Sequence, residues 1–208
     1  ANRYGYTYGI TVNSLGQRFF DEGEARHSYT YAKTGWAVLG QPGAVPYQIY
    51  DQKAKGLLNK RYYEFSHPIE ADTIDDLARQ ISIEPAVLSH TIREFNESIR
   101  KDIPFDATKL DGRCTEGITP KKSNWADTLD RPPYWAYAIT GGVTFTFGGL
   151  QINTQAQVLN TSNNPIRGLF ASGDILGLFF HNYPSCTGQT RNVVFSRLAG
   201  RHAAAQGL

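Results

Sequence analysis

The chain has 208 residues, 40% of them hydrophobic and 19% charged, with a net charge of +2 and charges spread without basic runs. That composition is of a globular protein able to bury its own core, and it gives no electrostatic reason to expect nucleic acid or a membrane surface as partner. No apolar stretch approaches the ~20 residues of a membrane span and no signal-peptide pattern opens the chain, so direct membrane insertion is not expected and a cytoplasmic location is.

Cys114 and Cys186 are too few and too far apart for a disulfide framework or a metal site. The chain contains no methionine, and it opens in a Tyr/Gly-rich stretch, which leads us to expect an internal piece of a longer protein.

In chain order, residues 10–22 carry two short alternating runs about Asn13, Ser14 and Gly16, a β-hairpin pattern. From Thr73 the periodicity becomes helical. Thr73 suits an N-cap, Asp75 and Asp76 suit a first turn, and Ile74, Leu77, Ala78 and Ile81 share one stripe that should end near Ser82. Pro85 fits the first position of a second helix, along which Leu88, Ile92, Phe95 and Ile99 recur until Pro104. The pair should bury one face each. Residues 102–133, with Pro104, Gly112, Gly117, Pro120, Pro132 and Pro133, suggest an irregular surface segment that ends a first domain near Arg131.

Beyond that boundary Tyr134 to Thr140 and Val143 to Phe147 suit strands. Leu150 to Asn153 and Gln157 to Leu159 suit a hairpin, and Gly168 to Ala171 suits a buried strand. A final helix should begin at about Gly188. The class is α+β, with one domain over 1–131 and a second over 132–208.

The sharpest motif is Pro165-Ile166-Arg167-Gly168-Leu169-Phe170-Ala171-Ser172-Gly173-Asp174, followed by Tyr183-Pro184-Ser185-Cys186-Thr187-Gly188 and Val194-Phe195-Ser196-Arg197-Leu198-Ala199-Gly200. A strand ends in small residues and an acid, a loop follows, and a helix starts where glycine permits a close approach. Such a helix start offers N–H groups and partial positive charge to an anion or a polarised carbonyl, although an ordinary strand–loop–helix connection has the same outline.

The order of these blocks resembles the C-terminal flavin-binding segment of the fumarate reductase and succinate dehydrogenase flavoprotein superfamily. Gly9 to Asn13 with Gly16 to Glu22 resembles that family's capping-domain hairpin, and Thr73 to Asn96 its paired helices. Further blocks are similar to tricarballylate dehydrogenases: Asn2-Arg3-Tyr4, Tyr29 to Lys33, Gln41-Pro42-Gly43, Pro120 to Ala126, Thr144 to Leu150 and His181-Asn182-Tyr183-Pro184.

The resemblance implies a capping (substrate) domain followed by an incomplete α/β FAD-binding domain lacking its N-terminal Rossmann segment, because the 208 residues contain no Gly-x-Gly-x-x-Gly turn. It implies FAD as cofactor, with Gly148, Gly149, Asp174, Thr187, Gly188, Gln189 and Thr190 on the flavin side. Asp174 would accept from ribityl or ribose hydroxyls, and the helix start would face negative charge on the reduced ring. Arg26 lies where fumarate reductases carry a cap arginine that delivers a proton, and either that role or a carboxylate fork suits it; a solvated arginine is the plainer alternative. Arg18 is expected to be structural, paired with Glu22 or Asp21. Tyr183 and His181 are candidates to touch the substrate or move a proton, against a backbone-satisfied tyrosine and an ordinary loop histidine. Thr144 and Thr146 stand in a segment where fumarate reductases place a substrate-binding histidine.

Two departures stand out. Cys186 and Arg191 replace a glycine and a small residue of related sequences.

The implied parent oxidises a small polycarboxylate, tricarballylate-like, to its unsaturated acid by hydride transfer to flavin. It would depend on the N-terminal FAD-binding segment of the same protein and a separate electron-acceptor protein. The alternatives are the reverse reaction and a folded fragment with no activity of its own.

Overall fold

The computed structural model describes residues 4–60, 64–143, 146–179, 183 and 186–206. The chain divides into two compact units, 1–141 and 142–208. The first extends past the expected boundary at Arg131 because the strand that follows it belongs to the first unit's sheet.

That sheet is antiparallel and four-stranded. Its strands are β1 (Ile10–Val12), β2 (Tyr47–Tyr50), β3 (Ile69–Ala71) and β4 (Tyr134–Ala138), in the spatial order β1-β2-β4-β3. Ile10 faces Ile49, Ile49 faces Ala136, and Ala136 faces Ile69, so the short β-branched and aromatic segments stack in register across the sheet. Side chains alternate between two buried faces. Ile10, Val12, Ile49 and Ala136 meet the helices, while Tyr50, Trp135 and Tyr137 pack with Ala54 and Leu58 on the other side.

Among the described residues three helices accompany the sheet in this unit: α1 (His27–Leu39), α2 (Ile74–Gln80) and α3 (Pro85–Ser98). The start of α2 is as expected, since the Thr73 hydroxyl accepts from the Asp76 N–H at 3.0 Å with Asp75 and Asp76 in the first turn. Pro85 opens α3, and Leu88, Ile92 and Phe95 are buried. The helix stops at Ser98, before Pro104, because the chain turns extended at Ile99 to bridge Thr115.

Helix α1 was not expected. Its buried stripe is Thr30, Thr34 and Val38, spaced by four but mostly threonine, so it leaves no apolar periodicity to read.

Two expectations change here. The turn at Ser14 to Gly16 forms, with the Asn13 carboxamide oxygen accepting from the Leu15 and Gln17 N–H groups at 3.0 and 3.1 Å and Gly16 at φ +74°. Its second limb, however, makes only a single bridge, Val12 to Arg18, because β1 takes β2 as its ladder partner instead. Residues 102–133 contain no helix or strand but are not merely surface. Lys122, Trp125, Ala126 and Leu129 are buried, and the segment seals the core.

The second unit holds β5 (Gln157–Leu159), β6 (Pro165–Phe170) and α4 (Thr187–Ala205). The hairpin about Asn153 is present, with Ile152 bridging Val158 and the Leu159 N–H reaching the Gln151 carbonyl at 2.9 Å. Val143, Thr146 and Phe147 are not in a strand, and Thr144 and Phe145 lie outside the described residues. Strand β6 is not buried, contrary to expectation. It pairs on one edge with β5, and Ile166 and Leu169 are exposed within the unit. Among the described residues no helix is long and apolar enough to cross a membrane.

Candidate active site

In the first unit the site is built around the head of α1. Residues 21–23 are stitched to the irregular segment. Asp21 accepts from the Ser123 N–H at 2.9 Å, and the Asn124 amide donates to the Gly23 carbonyl at 2.9 Å. Gly23 is required there, since a Cβ would lie 2.2 Å from the Asn124 carbonyl oxygen.

Below this loop sits a buried ion pair. Arg18 donates to Glu22 through both Nε (3.1 Å) and NH2 (2.5 Å), to the Pro120 carbonyl at 2.8 Å, and stacks 5.0 Å from the Phe95 ring centre. Arg18 is thus structural, as its spacing from Glu22 suggests. Lys122, fully buried alongside, donates to the Gly9 carbonyl at 2.6 Å. Burial pulls its ammonium down to about 8, against the opposing pull of Glu22.

Arg26 stands just before α1 and is exposed. Both acids near it in sequence have other partners, Glu22 with Arg18 and Glu24 with Lys33. Among the described residues Arg26 makes no ion pair; its guanidinium donates to the Thr108 carbonyl. A single carbonyl leaves most of its donor fork available. The adjacent His27 is held below the ordinary histidine range by burial first and by the Arg26 cation second.

In the second unit Thr187, Gly188, Gln189 and Thr190 open α4, Gly149 lies against the 175–177 backbone, and Asp174 pairs with Arg191. The helix has no side-chain cap and no acid in its first turn, so none of its own acids offsets its positive end. Tyr183 is buried, and its hydroxyl accepts the Gly188 N–H at 2.9 Å. The space a Cβ would take at Gly188 is therefore filled by that hydroxyl, at 2.8 Å. Gly149 is crowded in the same way: its close neighbour is the Ile175 carbonyl, where the 149–150 and 175–177 backbones cross. Gly148 has open space where a Cβ would be.

Asp174, expected to accept from ribityl or ribose hydroxyls, is ion-paired with Arg191, whose guanidinium also donates to the Leu176 carbonyl at 3.1 Å and lies 4.9 Å from the Phe179 ring centre. The larger side chain at 191 is accommodated by burial against this loop. Thr146 donates to the Asp174 carbonyl at 3.2 Å. Gln189 and Thr190 are exposed and Thr187 partly so. His181 and Thr144 lie outside the described residues.

The open backbone at Gly148 and the uncapped, acid-free start of α4 fit the ring side of a flavin, whereas the 208 residues offer no glycine-rich diphosphate turn.

An uncapped, acid-free helix start that follows a strand and a loop offers partial positive charge to an anionic or polarised group. Residues 6–189 match the family described as FAD binding domain, and the chain belongs to that family. FAD is its cofactor.

Among curated relatives, a probable fumarate reductase of Shewanella frigidimarina is 31% identical over 205 residues, covering 96% of this chain and 31% of its own length. A urocanate reductase of Eggerthella lenta is 28% identical over 214 residues, covering 94% and 31%. The open conformation of a flavocytochrome c3 fumarate reductase superposes with a TM-score of 0.71 at 26% identity, over all of this chain and 34% of that one. The chain therefore spans about a third of the length of the relatives it matches.

Proposed function

We propose that this chain is the substrate cap and C-terminal flavin-binding portion of a longer FAD-dependent oxidoreductase that acts on a CH–CH bond of a small, tricarballylate-like polycarboxylate. The observation that carries the reading is Arg26, an exposed guanidinium at the head of a helix whose neighbouring acids are both paired elsewhere. An unneutralised fork of this kind suits a carboxylate, or proton delivery in fixed geometry.

When bound, FAD supplies a two-electron hydride acceptor. Arg26 holds a carboxylate or hands on a proton, and a cap closing over the substrate excludes water from both. His181 and Tyr183 are the candidates for handling the proton next to the carbon that loses hydride. The Tyr183 oxygen already accepts the Gly188 N–H, which orients the phenol, so a role for it is as donor to a substrate oxygen. Thr144 and Thr146 would add hydroxyls to the substrate site.

The second unit favours completion by the N-terminal FAD-binding segment of the same protein, since among the described residues β6 pairs only with β5 and Val193 of α4 is 72% exposed. A separate electron-carrying protein would reoxidise the flavin. The reverse reaction, reduction of an unsaturated acid, is favoured by one observation of its own: relatives of this chain include proteins named as fumarate and urocanate reductases.

The test is Arg26→Lys in the full-length flavoprotein, assayed with tricarballylate and an artificial acceptor, and with fumarate and a reduced donor. Turnover should fall roughly a hundredfold, the effect of losing about 3 kcal/mol of transition-state stabilisation, with stability changed by less than about 1 kcal/mol. Turnover within about threefold of the parent in both directions would remove Arg26 from the mechanism.

A further inference from the structure

A second polar side chain, Tyr8, lies close enough to Arg26 to feel its charge. The turn Gly5–Tyr8 is fastened to the head of α1, because the Tyr6 hydroxyl lies 2.6 Å from the Thr30 hydroxyl and donates to the His27 carbonyl at 3.4 Å. Tyr8 closes that turn. Its ring packs at one side on the Tyr50 and Trp135 cluster and edge-on to Trp125, 6.3 Å between centroids, leaving it half-buried. Its hydroxyl makes no hydrogen bond among the described residues. A phenol kept for packing alone would do as well as phenylalanine.

Trp125 links this tyrosine to Arg26. It is buried, with its backbone in the left-handed region at φ +54°, a conformation a bulky residue adopts only when its surroundings hold it there. Its indole N–H is shared between the Lys109 carbonyl (2.8 Å) and the Asp106 carbonyl (3.1 Å). Those two carbonyls flank Thr108, whose own carbonyl receives the Arg26 guanidinium. One fixed tryptophan therefore supports the Tyr8 ring with its edge and, through the 106–109 loop, the arginine with its nitrogen.

We propose that Tyr8 and Arg26 form a two-donor clamp on one substrate carboxylate, with Trp125 as the common support. The guanidinium supplies the charge and the fork, and the phenol O–H supplies a further donor that fixes which way the carboxylate lies. Burial keeps the phenol protonated at neutral pH, with the Arg26 cation opposing it as the smaller effect, so the group acts as a donor and not as a base. The clamp rests on the reading of Arg26 as facing substrate.

The experiment uses Tyr8→Phe, Arg26→Lys and the double variant in the FAD-loaded full-length protein. Tricarballylate affinity of the oxidised protein is read from the perturbation of flavin absorbance, beside steady-state kcat and KM. Tyr8→Phe is expected to weaken tricarballylate binding about tenfold, the scale of one hydrogen bond to a charged group. Turnover at saturation should stay within about threefold, and the melting temperature should not move, since no internal hydrogen bond is lost. In the Arg26→Lys background the same change should cost less than about twofold, because the carboxylate is no longer held where the phenol meets it. Three results overturn the clamp. If Tyr8→Phe weakens binding by less than twofold while Arg26→Lys still lowers turnover, Tyr8 is a packing residue and the reading of Arg26 survives. If the two losses add in full, the groups do not share a carboxylate. If Arg26→Lys alters neither binding nor turnover, the reading of Arg26 fails and takes the clamp with it.

Discussion

The two units of this chain solve the problem of burial differently. In residues 1–141 the sheet is covered on both faces, and one ion pair, Arg18 with Glu22, is enclosed with it. In residues 142–208 the buried side chains are few, among them Ala156, Val158, Leu176, Tyr183 and Arg191, while Leu169, Val193 and Val194 face outward. A unit with its own core resists unfolding as a whole, whereas one with a two-stranded ladder and a single helix depends on local ties. The first unit can thus carry strained, preset geometry such as Trp125. The second unit relies on a few specific links, such as Tyr183 to Gly188 and Arg191 to Asp174.

The largest expected effect that tests this contrast is in the core of the first unit. Phe95 is 1% exposed, packs among the residues of both helices and the sheet, and has the Arg18 guanidinium 5.0 Å from its ring centre. Phe95→Ala should cost about 3–5 kcal/mol in denaturant unfolding of the first unit. A loss under about 1 kcal/mol would show that the first unit is held from outside its own core.

Phe95 also marks what was legible in the sequence. Its stripe with Leu88 and Ile92 could be read because leucine, isoleucine and phenylalanine recurring at helical spacing give one buried helix face, and Thr73 and Pro85 mark helix starts chemically. The stripe of α1 is written in threonine, and the burial of Lys122 and Trp125 comes from long-range bonds to Gly9 and to the 106–109 loop, which no local pattern announces. At the site, the spacing of Arg18 from Glu22 was readable as structure. Tyr8 was not singled out, because in a run of alternating tyrosines nothing in the sequence distinguishes a hydroxyl that makes no hydrogen bond among the described residues. The pairing of Asp174 with Arg191 was missed for a related reason: a carboxylate's partner seventeen residues away is set by the loop between them.

A smaller effect should follow from Lys122, and it depends on pH. Its folded value near 8 lies below that of an unfolded lysine, so between about pH 8 and 10.5 the unfolded chain binds more protons. Stability from this group therefore rises with pH across that window, by roughly 2–3 kcal/mol in all, and below about pH 8 the full cost of burying the charge is present. Tyr6 and Tyr134, whose phenols burial raises, act in the opposite direction at the upper end. The measurement is accordingly a difference: unfolding free energy against pH for the parent and for Lys122→Met. The parent should gain on the variant as pH rises from 8 to 10.5. Parallel curves would mean that the ammonium is not desolvated.

The smallest effect belongs to the second unit. The Arg191 side chain is 3% exposed, and it reaches the Leu176 carbonyl and the Asp174 carboxylate with separate nitrogens while lying against Phe179. Phe179 in turn packs edge-on to Tyr183 at 5.3 Å, and Tyr183 accepts the Gly188 N–H, so the guanidinium is one end of a chain of contacts that ends at the start of α4. A lysine keeps the charge but cannot make two directed bonds from one planar head, nor stack on a ring in the same way. Arg191→Lys should therefore cost about 1–2 kcal/mol, and because Asp174 is half exposed the ion pair itself accounts for the lesser part of it. Since the unit is held by local ties, the loss should appear locally, as faster amide hydrogen exchange at Gly188 and through the first two turns of α4, with exchange in α3 of the first unit unchanged. If exchange at Gly188 stays at the parent rate, the link from Arg191 through Phe179 to Tyr183 is not what holds the helix start. If exchange accelerates in α3 as well, the two units do not differ in the way their burial implies, and the contrast drawn between them fails.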